Sequence, residues 1–210
     1  SSLFVVSSLS LSLLLMYRLP SLLLPSLSSS SPCSSLLSST SLFVRSYSQG
    51  HFNVPDVSKC GKLYPTTPLR VEWGHMDAYN HVNNCQYFKY FETARILLFD
   101  KITDHCTDPH LRNDLFGGKG YGVILKSTAC NYKFPLTYPD DIVVFTGVTQ
   151  VMKDRYTVDY EVFSVNNGIV AATGTSVIVS YDYETQKKAP IPQELLDAVK
   201  KECPHVEVCY

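Results

Sequence analysis

Residues 73–84 read WGHMDAYNHVNN and gather two His, one Asp and three Asn at the junction between a strand-like and a helix-like stretch. Asp77 is the group best suited to chemistry. A carboxylate just ahead of a helix N-terminus can attack an electrophile held there, or activate water against it. An Asp in such a turn also bonds nearby backbone N–H groups, and on spacing alone that turn-forming use is the commoner one. The first helical amides lack intrahelical partners and carry the positive end of the helix dipole. A carbonyl oxygen becoming an oxyanion beside them would be stabilised. Losing one such donor typically costs about 2.7–4 kcal/mol of transition-state stabilisation. The amide of Asn84 is the candidate donor.

Other chemistry is harder to place. His75 and His81 lie six apart across a turn, a spacing that suits no common zinc motif, and no metal or cofactor is expected. GGKG at 117–120 fails the phosphate-loop pattern because Tyr121 follows Gly120. There is no GxSxG elbow and no HExxH pair. The aromatic run at 87–91 reads as core packing.

Positioning the motif requires a strand before it and a helix after it. Leu69, Val71 and Trp73 alternate with Arg70 and Glu72, a short half-buried strand. Asn83 or Asn84 supplies an N-cap. Tyr87, Tyr90, Phe91, Ala94, Leu97 and Leu98 then recur at helical spacing, which predicts a core helix. Residues 103–119 are polar and broken by Pro109, Gly117 and Gly118, and read as a loop with at most a helical turn. The period then changes to that of strands: 121–134, 142–151, a strand with Tyr156, Val158, Tyr160 and Val162 on one face, and 169–181. Asn-Asn-Gly at 166–168 predicts a type I′ hairpin turn. Gly147 and Gly174 mark candidate bends. QELLDAVKK, with Pro192 in its first turn, predicts a short C-terminal helix. One strand, one helix and at least four strands in meander-like succession make an α+β architecture, an antiparallel sheet with one buried helix.

The bulk composition narrows the class. Residues 1–49 hold 19 Ser and 14 Leu, two Arg and no acidic residue. That composition reads as an organellar transit peptide, with the mitochondrial matrix expected and a plastid the alternative. Met16 is a candidate start, and RSYS at 45–48 resembles a matrix-protease cleavage site. Ser and Pro interrupt every apolar run there, so no membrane span is expected. Residues 50–62 read as a linker, and 63–203 as the folded domain. From residue 50 on, 16 basic and 19 acidic residues remain, with no basic cluster to attract nucleic acid. The seven Cys show no CxxC pair and read as free thiols.

RVEWGHMDAYNHVNNCQYFKYFETAR (70–95) resembles the hot-dog-fold acyl-CoA thioesterases of the 4-hydroxybenzoyl-CoA thioesterase type. The likeness extends over about 65–183, including Y…P…YPDDIVV at 132–144. It implies a hot-dog fold, an antiparallel β-sheet wrapped around a central α-helix. It implies Asp77 as the catalytic carboxylate, nucleophile or general base, with the backbone N–H of Asn84 polarising the thioester carbonyl. His81, Asn83 and Tyr87 match the substrate-binding segment. Two positions depart from the pattern: His75 stands where the family has a first acid, and Asn80 where it has Gly.

The resemblance also implies a homodimer or homotetramer with active sites at the subunit interface, completed by residues of the strand from Gly122 to Asn131. Lys126, Lys133, Lys153 and Arg155 are candidates for the coenzyme A phosphates. The expected reaction is hydrolysis of acyl-CoA, or a related acyl thioester, to free acid and coenzyme A. A hydratase or dehydratase pairing His81 with Asp77, or a non-catalytic acyl-binding protein, are the alternatives on the same fold.

Overall fold

The computed structural model describes residues 62–209, so the expected leader at 1–49 and nearly all of the linker at 50–62 lie outside the described residues. The elements run β1 (Tyr64–Pro65), β2 (Leu69–Val71), a 3-10 turn (Trp73–His75), α1 (Asn84–Thr103), α2 (Pro109–Gly117), β3 (Tyr121–Tyr132), β4 (Asp140–Met152), β5 (Arg155–Ser164), β6 (Ile169–Asp182), β7 (Lys187–Lys188), α3 (Gln193–Glu202) and β8 (Glu207–Val208).

The long strands follow the period-2 pattern of their sequences. Tyr156, Val158, Tyr160 and Val162 of β5 are all buried against α1, while Thr157, Asp159 and Glu161 on the opposite face are only half-buried. α1 buries the stripe that its spacing predicts, extended by Phe99 and Ile102, with Leu97 at its margin. The Phe91 ring lies stacked on Tyr160, centroids 4.5 Å apart at 17°, and Phe99 meets Tyr156 edge-on at 5.6 Å. Gly174 of β6 leaves room for the helix, since a Cβ there would stand 2.4 Å from the Phe91 ring. Gly147 lets the Lys62 carbonyl approach β4 in the same way, since a Cβ there would stand 2.9 Å from that oxygen. These glycines mark close approach. The register shifts in β3 at Leu125/Ser127, in β4 at Val148/Gln150, and between β5 and β6 at Val162/Phe163, where bulges kink the strands locally.

The order of strands in space is β1-β4-β5-β6-β3, which corrects the meander. β3 pairs with β6 and forms one edge, so the chain crosses from that edge to reach β4. β4 is flanked on its outer side by three short strands in turn: β2 at Asp140–Ile142, β1 at Phe145–Thr146 and β8 at Gln150–Val151. All pairings are antiparallel except β8 with β4. The result is the hot-dog arrangement, a sheet wrapped on one long helix.

Three local readings change. The stretch at 103–119 contains a nine-residue helix: Pro109 sits at its first turn, Asp108 caps it by accepting the His110 N–H, and Gly118 ends it at φ 64°. These residues punctuate a helix rather than break one. The β5–β6 connection is a four-residue loop in which only Gly168 has positive φ, so it is not a type I′ turn. Trp73 does not continue β2; it opens the 3-10 turn, 76% exposed, with its ring edge-on to Tyr138. Among the described residues no helix is long and apolar enough to cross a membrane, and Cys85, Cys106, Cys130, Cys203 and Cys209 are free thiols.

Candidate active site

The WGHMDAYNHVNN stretch folds as a 3-10 turn, a tight loop and a helix start, each closed by backbone bonds. Met76 and Val82 form an isolated antiparallel bridge. Inside it the Asp77 N–H donates to the His81 carbonyl at 2.9 Å and the Asn80 N–H to the Asp77 carbonyl at 3.1 Å. Asn80 takes φ 62° at the turn, a conformation that Asn tolerates better than most non-glycine residues. The Tyr79 N–H donates to Asp77 Oδ1 at 2.8 Å, which leaves Oδ2 as the carboxylate oxygen outside that turn.

The helix start is equally determined. Asn83 is the N-cap: its Oδ1 accepts the Cys85 N–H at 2.9 Å, and its carbonyl accepts the Gln86 N–H. Its own N–H donates to the His75 carbonyl at 2.8 Å, tying the cap to the 3-10 turn. The Asn84 N–H has no hydrogen-bond partner among the described residues, as expected of the first amide of an uncovered helix.

The crossing segment after β3 supplies the opposite wall. The Lys133 and Phe134 amides both donate to the Ala171 carbonyl, and fully buried Leu136 accepts the Val82 N–H at 2.8 Å. Between this segment and the motif loop lies an open cleft of about 790 Å³. Asp77, His81, Asn83, Asn84 and Tyr87 all line it. Three further residues line it: Tyr132 and Pro135, which belong to the resembling stretch at 132–144 but were given no place at the site, and Phe134, which carries no local signal in the sequence. Of the four candidate phosphate-binding cations, Lys133 alone lines the cleft, and Arg155 is paired with Asp154 at 2.7 Å.

Two tyrosines set the polarity of the wall. The Tyr87 and Tyr132 rings meet edge-on at 5.0 Å, and the Tyr132 hydroxyl donates to the Asn84 carbonyl at 3.3 Å. Desolvation, reinforced by Cys130, Tyr87 and Cys85, pushes the Tyr132 hydroxyl up to about 12. Burial raises Tyr87 as well, with the Leu136 backbone pulling the other way. Both phenols therefore stay protonated at neutral pH. His81 is exposed, and its carbonyl rather than its ring makes the contact that shapes the loop.

His75, where the resemblance expects an acid, is held by two contacts at one ring nitrogen. The Glu72 N–H donates to its Nδ1 at 3.1 Å, and the Tyr90 hydroxyl lies 3.0 Å from the same nitrogen. It does not line the cleft.

A carboxylate and an unpartnered helix amide facing one aromatic-walled cleft can perform acyl transfer to water. Residues 71–199 match the family model of the thioesterase-like superfamily. A protein of Aquifex aeolicus (strain VF5), provisionally named an esterase, is 27% identical over 131 residues, 62% of this chain and 94% of its own length. A solved Pseudomonas aeruginosa protein, provisionally described as a thioesterase, is 25% identical with a TM-score of 0.55, covering 65% of this chain and 98% of that one. The 1,4-dihydroxy-2-naphthoyl-CoA thioesterase of Synechocystis shares the fold, at TM-score 0.54 and 20% identity over 63% of this chain and 93% of its own.

Proposed function

The chain belongs to the thioesterase-like superfamily, and from that premise we propose that it hydrolyses acyl-CoA or a related acyl thioester to the free carboxylic acid and coenzyme A. The observation that carries this reading is the meeting of Asp77 with the open Asn84 amide in one cleft. The thioester carbonyl oxygen would sit at the N-terminus of α1, where the Asn84 N–H receives the developing oxyanion. As general base, Asp77 takes a proton from water while the water oxygen adds to the carbonyl carbon. The tetrahedral intermediate then collapses, the C–S bond breaks, and the thiolate leaves with the proton returned by Asp77. As nucleophile, Asp77 instead forms a mixed anhydride that water opens. Label found in Asp77 after single turnover in 18O-water identifies the anhydride route, since water that opens the anhydride at the aspartyl carbon leaves its oxygen there.

His81, Asn83 and Tyr87 would orient the acyl group, and Lys133 would meet a coenzyme A phosphate at the cleft mouth. The reading includes a homodimer or homotetramer, supported by the twelve-residue β3 edge that ends beside the cleft. It also includes a mitochondrial matrix location, supported by the Ser-rich, acid-free leader; N-terminal sequencing of protein from isolated mitochondria tests that.

The function is tested by incubating the chain from about residue 49 with a panel of acyl- and aroyl-CoAs and following thiol release. Turnover that depends on Asp77 is the expected result. No turnover of any thioester sinks the proposal, and hydration of an enoyl-CoA by the pair His81 and Asp77 would replace it.

A further inference from the structure

We propose that His75 is a positioning residue, which holds the Asp77 loop against α1 through the bare Nδ1 of its imidazole; this rests on the reading of Asp77 as the catalytic carboxylate. A backbone amide can only donate, so the 3.1 Å contact from the Glu72 N–H requires a bare lone pair on His75 Nδ1. The Tyr90 hydroxyl, 3.0 Å from the same atom, then shares that one lone pair as a second donor. That assigns the ring proton to Nε2, which lies 4.0 Å from the Glu72 carboxylate.

The backbone of His75 makes the second half of the clamp. Its N–H donates to the Glu72 carbonyl at 3.0 Å, and its carbonyl accepts the Asn83 N–H at 2.8 Å. The ring thus grips α1 through a buried tyrosine, the carbonyl grips the helix cap, and Asp77 follows two residues later. The groups facing the ring are Glu72 on its own turn, Tyr90 from α1 with Tyr87 behind it, and Asp140 of β4, which acts on Tyr90. Burial first, then Tyr87, Glu72 and Asp140, raise Tyr90, so its hydroxyl keeps the proton that it donates.

A proton added to Nδ1 would stand N–H against the Glu72 N–H and would force Tyr90 to turn. The 3-10 turn must then give way, and with it the placement of Asp77. The carboxamide of Asn places Oδ1 where Nδ1 stands, accepts from both donors and does not titrate.

The test is kcat and KM for the parent, His75→Asn, His75→Leu and Asp77→Asn, with hexanoyl-CoA and benzoyl-CoA as probes. Amide exchange of residues 72–84 is followed in each alongside. His75→Asn should keep kcat within about threefold of the parent. His75→Leu should lose about tenfold to a hundredfold in kcat with KM little changed. A loss in His75→Asn as large as that in His75→Leu, or full kcat in His75→Leu, overturns the proposal while Asp77→Asn remains inactive. Full activity in Asp77→Asn overturns the catalytic reading instead. Should neither thioester turn over, exchange of 72–84 that is the same in parent and His75→Leu overturns the proposal, and faster exchange in His75→Leu that His75→Asn restores supports it.

Discussion

The Tyr79 amide donates to Asp77 Oδ1 at 2.8 Å, so the carboxylate that faces the cleft also closes its own turn. Asp77→Asn keeps an oxygen at that position and removes only the charge. It should lose about 10²–10⁴-fold in hydrolysis with an unchanged melting temperature. Asp77→Ala removes the acceptor as well and should be about 1 kcal/mol less stable. Thiol-release rates and thermal melts on the two variants separate the chemical role from the turn-forming one.

Gly174 faces the Phe91 ring, where a Cβ would stand 2.4 Å from two ring carbons and 2.9 Å from the Ala129 carbonyl. Phe91 is hemmed in by the stacked Tyr160 on the neighbouring strand and by Phe88 edge-on to it. Gly174→Ala should therefore cost about 1–3 kcal/mol, read as a lower urea midpoint. Equal stability of variant and parent would mean that α1 can lift from the sheet without loss.

How much of this was legible follows from how local each signal is. The stripe from Tyr87 to Leu98 and the alternation from Tyr156 to Val162 are written in neighbouring residues, and both elements form as read. The place of β3 beside β6 depends on which sheet edge receives it, and no short stretch of sequence encodes that. The cleft wall was hidden for the same reason, since Tyr132, Phe134 and Pro135 meet the motif only through the crossing segment. The Asn-Asn-Gly turn was overridden from outside: the buried Asp140 carboxylate takes the Ser164 hydroxyl and the Asn166 N–H, and Ser164 Oγ takes the Asn167 N–H. His75 was opaque because its partners, Glu72 in the backbone and Tyr90 on α1, meet it only in three dimensions.

Glu194 links the first turn of α3 to the approach to α2. Its carboxylate accepts from the Thr107 hydroxyl at 2.7 Å and from the Thr107 and Asp108 amides. The Thr107 hydroxyl first, then these amides, hold it below the ordinary glutamate value of 4.5. A carboxylate depressed in the folded state contributes fully above its unfolded value and is lost as pH falls through the lower folded one. The advantage of the parent over Glu194→Gln in urea midpoint should therefore shrink steadily below about pH 4.5. A difference that stays constant from about pH 6 to about pH 3 would refute this assignment.

β3 presents a twelve-residue edge whose outer hydrogen-bonding groups have no strand partner among the described residues. Ile124 and Leu125 stand 38% and 43% exposed on it, beside a bulge. An edge of that length and polarity invites pairing with another chain. A second copy is the partner expected, because Tyr132 at the end of the same strand already lines the cleft and a copy along β3 would complete its open side. Light scattering should show a dimer or larger at about 10 µM, which corresponds to association by roughly 7 kcal/mol or more. On the proposed assembly, Leu125→Lys should shift the population toward monomer and lower kcat/KM in parallel, since a dissociated copy would leave the open side of the cleft uncovered. A monomeric parent with full activity would mean that the cleft is complete within one chain.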